Sequence, residues 1–201
     1  MSRLILLNKP HGVICQFSED GLHPTLKELI HIPNIYPAGR LDTDSEGLVI
    51  LTDDGKLQAR ISNPLYKLTK TYWVQVEGIP LEETLDELRR GIDLGEFTSQ
   101  PALAKIIDEP SQIWPRNPPI RYRKNIPTTW LEIKIQEGKN RQVRRMTAKV
   151  GHPTLRLIRY AVGQWTLEGL LPGKWRELER HEFNVKGSLG EPERGKKNNR
   201  S

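Results

Sequence analysis

Apolar positions fall along this chain in short runs, and their spacing sets the elements. "RLILLNK" and "GVICQF" (residues 12–17), divided by the Pro10–Gly12 turn, read as two strands. "TLKELIHI" (25–32) reads as a short helix begun by Pro24 and Thr25. "GLVILTDD" (47–54) is a continuous apolar run, as in a buried strand, and Gly55 opens a helix through Ser62. In "TKTYWVQVEG" (69–78) the pattern alternates: Tyr72, Val74 and Val76 share one face, Trp73 and Gln75 the other.

"LEETLDELRRGI" (81–92) is amphipathic. Leu81, Leu85, Leu88 and Ile92 form one stripe, with acids early and arginines late as the helix dipole favours. "SQPALAKIID" (99–108) and "TTWLEIKIQ" (128–136) read as strands, and the Pro-rich stretch 109–127 between them as a loop or insertion. "NRQVRRMTAKVG" (140–151) is a helix stopped by Gly151, with Pro153 just beyond. Its buried stripe is Val143, Met146 and Val150. Arg141, Arg145 and Lys149 point away from it and suit phosphate contacts, and Arg144 sits at its edge. "TLRLIRY" (154–160) is a further strand. Together these elements predict an α+β fold with a large mixed or antiparallel central sheet and flanking helices.

The length, 201 residues without an internal repeat, suits one domain or one domain of two lobes. Residues 1–182 are expected to form it. Residues 183–201 are polar, Gly-rich and basic, and are expected to form a disordered tail. Charge adds a partner. The chain carries a formal +6, and Lys139–Arg159 holds seven basic residues and no acid. Arg116–Lys124 adds four more. Such patches fit a polyanion, most often a nucleic acid, or else a solvated basic face. The single cysteine, Cys15, excludes a disulfide within the chain and a cysteine metal site. It suits a reducing compartment, here the cytoplasm. The apolar stretch of four residues before Asn8 is too short for a signal peptide, and no stretch is long enough to span a membrane.

Against this basic background, "GRLDTDSEGLVILTDDG" (39–55) concentrates acids. Asp42, Asp44, Glu46, Gly47 and Asp53 match a calcium-loop template in spacing, but that loop needs a helix on each side and here Pro37, Gly39 and an apolar run flank it. Asp44, Ser45, Glu46 and Asp54 read better as turn and surface residues, and Asp53 as a cap for the following helix. Asp42 stands open to a third reading. In a glycine-flanked loop beside a buried strand, a carboxylate can be held exposed and rigid, kept ionised by a nearby cation, and act as nucleophile or base. Arg40 and the basic helix both offer that cation. His11, His23, His31, His152 and His181 are scattered without metal-like spacing and read as structural or surface. Trp114, Trp165 and Trp175 read as core or loop anchors.

Taken together, "LNKPHGVICQFSED" with "HPTL", then "GRLDTDSEGLVILTDDG", "KTY" and "EGKNRQVRRMTAKVGHPTLRLIRYAVG" resemble the RsuA-type pseudouridine synthases, in that family's motif order, from Leu4 to Leu178. The resemblance implies the pseudouridine synthase catalytic fold, with two lobes around an active-site cleft. It implies isomerisation of uridine to pseudouridine on a flipped-out base in rRNA, that of the large subunit (23S), without cofactor or metal. Asp42 would be the nucleophile or electrostatic partner at the sugar, Tyr72 would pack on the base, and Arg144 would pair with Asp42. Lys70 would support Tyr72, Arg40 would displace the base or hold RNA backbone, and Leu157 would wall the pocket. Many relatives carry a small N-terminal RNA-binding module of the S4 type. The first motif begins at Leu4, which leaves no room for it, so RNA affinity is expected from the catalytic domain, acting as a monomer. The rival functions are a non-catalytic RNA-binding or ribosome-assembly protein, and a magnesium nuclease using the acidic loop.

Overall fold

The computed structural model describes residues 2–183. The basic tail beyond Phe183 lies outside the described residues. Strands are β1 (Leu4–Lys9), β2 (Tyr36–Pro37), β3 (Glu46–Thr52), β4 (Lys70–Glu77), β5 (Leu103–Ile107), β6 (Thr128–Ile135), β7 (Thr154–Val162), β8 (Trp165–Thr166) and β9 (Trp175–Glu177). Helices are α1 (Gly55–Ser62), α2 (Glu82–Arg90), α3 (Gln142–Lys149) and α4 (Arg180–Phe183), with single 3-10 turns at Leu26–Glu28 and Pro64–Tyr66.

The strands form one mixed sheet in the order β5-β6-β4-β7-β3-β1-β9, with β2 added to β3 and β8 to β7. Every pairing is antiparallel except β3 with β7, which meet over Glu46↔Ile158 and Gly47↔Arg159. That parallel junction is tight. Gly47 has φ +110, and a Cβ there would overlap the Arg159 carbonyl and lie 2.8 Å from its amide nitrogen, so only glycine fits.

The unbroken apolar runs are buried on both faces. In β1, Leu4 and Leu6 join one cluster with Leu48, Ile50, Ile158 and Trp165, whereas Ile5 and Leu7 join another with Val49, Leu51 and Leu26. The alternating strand β4 turns Tyr72, Val74 and Val76 onto a third cluster with Leu85, Leu88, Ile133, Val143 and Met146, where α2 and α3 cover the sheet. Each aliphatic side chain withdrawn in this way contributes roughly 1.5–3 kcal/mol of transfer free energy before entropy is set against it.

Four local expectations are corrected. "GVICQF" is not a strand. Gly12 N donates to Thr43 O and Ile14 N to Pro24 O, so its backbone is satisfied by loops, with one isolated bridge from Ile14 to Thr25. "TLKELIHI" makes one 3-10 turn rather than a helix. Leu81 does not extend the α2 stripe; it is the N-cap residue and is exposed. Asp54, not Asp53, caps α1: its carboxylate accepts from Lys56 N and Leu57 N, whereas Asp53 accepts from Arg3 N. Among the described residues, no helix is long and apolar enough to cross a membrane.

Candidate active site

A cleft of about 940 Å³ opens beside the β3–β7 junction. Its walls come from residues 11–15, the loop 39–45, the sheet residues Lys70, Tyr72, Leu157 and Arg159, the loop 138–143, and the tip of the 109–127 segment at Asn117 and Pro118. Of the sequence-predicted residues, Arg40, Asp42, Lys70, Tyr72, Arg141 and Leu157 line this cleft. Arg144 and Arg145 do not.

The loop carrying Asp42 is fixed along its length. Gly39 takes φ +85 and turns the chain out of β2. Leu41 is buried among Ile5, Val49 and Leu26. Arg159, itself buried, donates from Nη1 to Arg40 O at 3.3 Å and from Nε to Leu48 O at 2.8 Å. Ser45 N closes a turn onto Asp42 O at 3.0 Å. From below, the fully buried Lys9 donates its ammonium to Pro10 O (2.9 Å), Val13 O (2.8 Å) and Thr43 O (3.4 Å). Burial lowers the Lys9 pKa to about 8, with Cys15, Glu46, Asp44 and Asp42 opposing that fall.

The ion pairs differ from the expected pairing. Arg144 does not pair with Asp42. Its Nη2 donates to the main-chain oxygen of Asp44 at 2.8 Å and lies 3.6 Å from Asp44 Oδ2. Among the described residues its buried Nε finds no acceptor, and burial lowers its pKa. The cation on Asp42 is Arg141, whose Nη1 lies 3.4 Å from Asp42 Oδ2. Arg141 holds Asp44 more tightly, with Nη1 to Oδ1 at 3.0 Å and Nη2 to Oδ2 at 2.9 Å. That fork holds the Asp44 carboxyl below its usual range. Arg145 faces outward, donating to Glu96 and to Leu94 O at 3.2 Å each, with its guanidinium over the Phe97 ring.

Asp44 is thus an ion-pair partner rather than a free surface acid, and Glu46 departs further from expectation. It is buried, and accepts from Arg156 Nε (2.8 Å), Arg156 Nη2 (2.9 Å) and Trp114 Nε1 (2.8 Å). Trp114 thereby pins the 109–127 segment to the first residue of β3, and Arg116 adds a bond from Nη1 to Leu155 O. Ser45 is buried as well. The acids that matched a calcium template are therefore each taken by protein partners: Asp42 and Asp44 share Arg141, Glu46 takes Arg156, and Asp53 accepts from Arg3 N. Trp165 lies in the core, while Trp175 is partly exposed on β9. Two of the seven basic residues in 139–159, Arg156 and Arg159, point into the protein and add nothing to a basic face.

Also lining the cleft, Lys70 and Tyr72 leave β4 on the same side, two residues apart. Lys70 is half-buried; desolvation first, and then Arg159, lower its pKa, while Glu137 opposes them. Glu137 is buried, accepts from Gln100 N at 2.8 Å and from the Gln142 side chain, and so fixes the loop that enters α3. His11 and His23 also line the cleft. Sequence reasoning missed Lys9, Arg159, Gln142 and Glu137 as site supports. The available signal was a charged residue within a largely apolar strand, as for Lys9 after Leu4–Leu7 in β1 and for Arg156 and Arg159 in β7.

Comparison with known proteins agrees with this fold. The sequence profile described as RNA pseudouridylate synthase matches residues 3–149, and the chain belongs to that family. It is 52% identical over 177 residues to the ribosomal large subunit pseudouridine synthase E of Vibrio parahaemolyticus, covering 88% of this chain and 74% of that protein. Against the protein of the same description from Xanthomonas axonopodis, identity is 55% over 171 residues, covering 84% and 90%. A crystal structure described as pseudouridylate synthase superposes with a TM-score of 0.75 at 30% identity, covering 90% of this chain and 72% of that one. The sheet is therefore the central sheet of the pseudouridine synthase fold, and the activity is that of a pseudouridine synthase, an isomerase.

Proposed function

We propose that the protein isomerises one uridine of large-subunit (23S) rRNA, as a monomer, with Asp42 as its reacting carboxylate. The observation that carries this reading is the placement of Asp42. It stands in a clamped loop at the cleft, 3.4 Å from a guanidinium, and Tyr72 lines the same cleft. The large-subunit substrate is supported by the identity above 50% to proteins described as acting there.

In this reading the uridine leaves its stack and enters the cleft, and Tyr72 and Leu157 cover the base. Such aromatic packing contributes roughly 1–3 kcal/mol toward the cost of extrusion. Asp42 acts at the ribose carbon as nucleophile or electrostatic partner while the bond to N1 breaks. The base turns, C5 bonds to the same carbon, the C5 proton leaves and N1 gains one, so atoms balance with no cofactor consumed. Arg141 contacts Asp42 through Nη1, Arg144 braces the loop through Asp44, and Lys70 and Arg40 hold RNA beside the cleft. Arg145 and the exposed basic residues of 116–124 face RNA phosphates outside it.

Incubation with unmodified 23S rRNA, followed by pseudouridine mapping, tests the proposal. One modified uridine is expected with the parent and none with Asp42→Asn, whose RNA binding persists. Failure of both proteins to modify an RNA that they bind would favour a non-catalytic RNA-binding role.

A further inference from the structure

Asp44 has no part in the chemistry above, yet it has the firmer hold on the cleft's arginine. Both terminal nitrogens of Arg141 face both of its carboxylate oxygens, at 3.0 and 2.9 Å, against one contact of 3.4 Å to Asp42. A fork-to-fork pair fixes the plane of the guanidinium as well as its distance. Arg141 also has φ 52, a left-handed backbone that a non-glycine residue keeps only when its surroundings impose it. On its other side, Asp44 offers its main-chain oxygen to Arg144 at 2.8 Å. One residue thus holds two guanidiniums beside Asp42.

We infer that Asp44 is a positioning residue for the isomerisation: it keeps Arg141 turned edge-on to Asp42, near enough to support its charge but not forked onto it. The inference rests on the reading of Asp42 as the reacting carboxylate. Released from Asp44, the Arg141 guanidinium has Asp42 as its neighbouring carboxylate and closes on it in two hydrogen bonds. Both oxygens of Asp42 are then engaged, and a carboxylate so paired is a poorer nucleophile. Asp44→Asn removes the fork while retaining the residue's size, its aptitude for the turn and the main-chain oxygen that Arg144 uses.

The experiment uses the full chain and a large-subunit rRNA transcript tritiated at uridine C5, since the C5 hydrogen is lost as the new carbon–carbon bond forms. Asp44→Asn is expected to lower the saturating rate by about tenfold or more, with KM moving less than about threefold. Asp44→Glu, which restores a carboxylate, should recover much of that loss. Arg141→Lys in the Asp44→Asn background should raise the rate by about threefold or more over Asp44→Asn alone, because an ammonium cannot fork onto Asp42. A merely structural role for Asp44 would not be relieved by that second change. Should Asp44→Asn fail to fold, Asp44→Ser replaces it with the same expectations. Parent-like turnover in Asp44→Asn, or no recovery on adding Arg141→Lys, would overturn the inference. Activity in Asp42→Asn would instead overturn the reading of Asp42, so the two failures are distinguishable.

Discussion

Replacing Glu46 by Gln tests whether the buried ion pair at the head of β3 holds the cleft together. The change keeps the side chain's shape but leaves the Arg156 guanidinium, with 7% of its side chain exposed, facing a neutral group. Of three accepted bonds, those from Arg156 Nη2 and Trp114 converge on Oε1 and that from Arg156 Nε on Oε2. An amide has one acceptor oxygen, and its NH2 group must then face a donor. Breaking one side of a buried pair costs about 3–5 kcal/mol, a large share of the 5–15 kcal/mol that ordinarily stabilises a domain. With an unfolding entropy of about 2.1 cal/mol/K per residue over roughly 180 residues, this corresponds to a fall in Tm of about 8–13 °C. Thermal unfolding followed by circular dichroism reads it directly. The double variant Glu46→Leu/Arg156→Met removes both charges, and should recover most of the loss, leaving about 1 kcal/mol for the unpaired Trp114 N–H. A shift under about 2 °C for Glu46→Gln, or a double variant as unstable as the single one, would refute the assignment of the loss to an uncompensated buried cation.

Two further outcomes follow from the same region. Gly47→Ala must force a Cβ into the Arg159 backbone at φ +110; a loss of about 2–4 kcal/mol with abolished turnover is expected, and a parent-like melt would show that the parallel junction tolerates spreading. Lys9 gives a pH signature: the folded ammonium releases its proton near 8 and the unfolded one near 10.5, so the unfolded chain binds more protons between those values. Stability of the parent relative to Lys9→Met should therefore rise from about pH 8 to pH 10.5, by up to roughly 3 kcal/mol, and denaturant titrations giving a flat difference across that window would count against a buried charged Lys9.

Periodicity alone located β1, β3, β4, β6, β7 and the bodies of α1, α2 and α3, because each buries a face whose spacing is written locally. "GVICQF" misled for a physical reason. Val13 and Cys15 are buried, so the pattern reports burial truthfully, but the backbone finds its partners in loops rather than in a neighbouring strand. The site divided in the same way. The glycines and the apolar run around Asp42 left it open as a candidate carboxylate, and the structure puts it on the cleft. Which cation meets it was not legible, since Arg141 and Arg144 are three residues apart and the choice depends on how α3 enters over the loop. The burial of Glu46 had no local sign either. A carboxylate at the start of a strand reads as solvated unless Arg156 and Trp114, 110 and 68 residues away, are known to close over it.

The parallel contact between β3 and β7 also bears on how the chain acquires its activity during synthesis. Asp42 emerges from the ribosome 99 residues before Arg141, and β3 must wait for residues 154–162 before its parallel neighbour exists. At about 5–20 residues per second, the acidic loop spends several seconds without Arg141 and Arg144. On the proposed reading of Asp42, the nascent chain stays inactive until nearly the whole described fold has been made: a truncated product ending before Thr154 would carry every acid of the site but lack Leu157 and Arg159, which line the cleft.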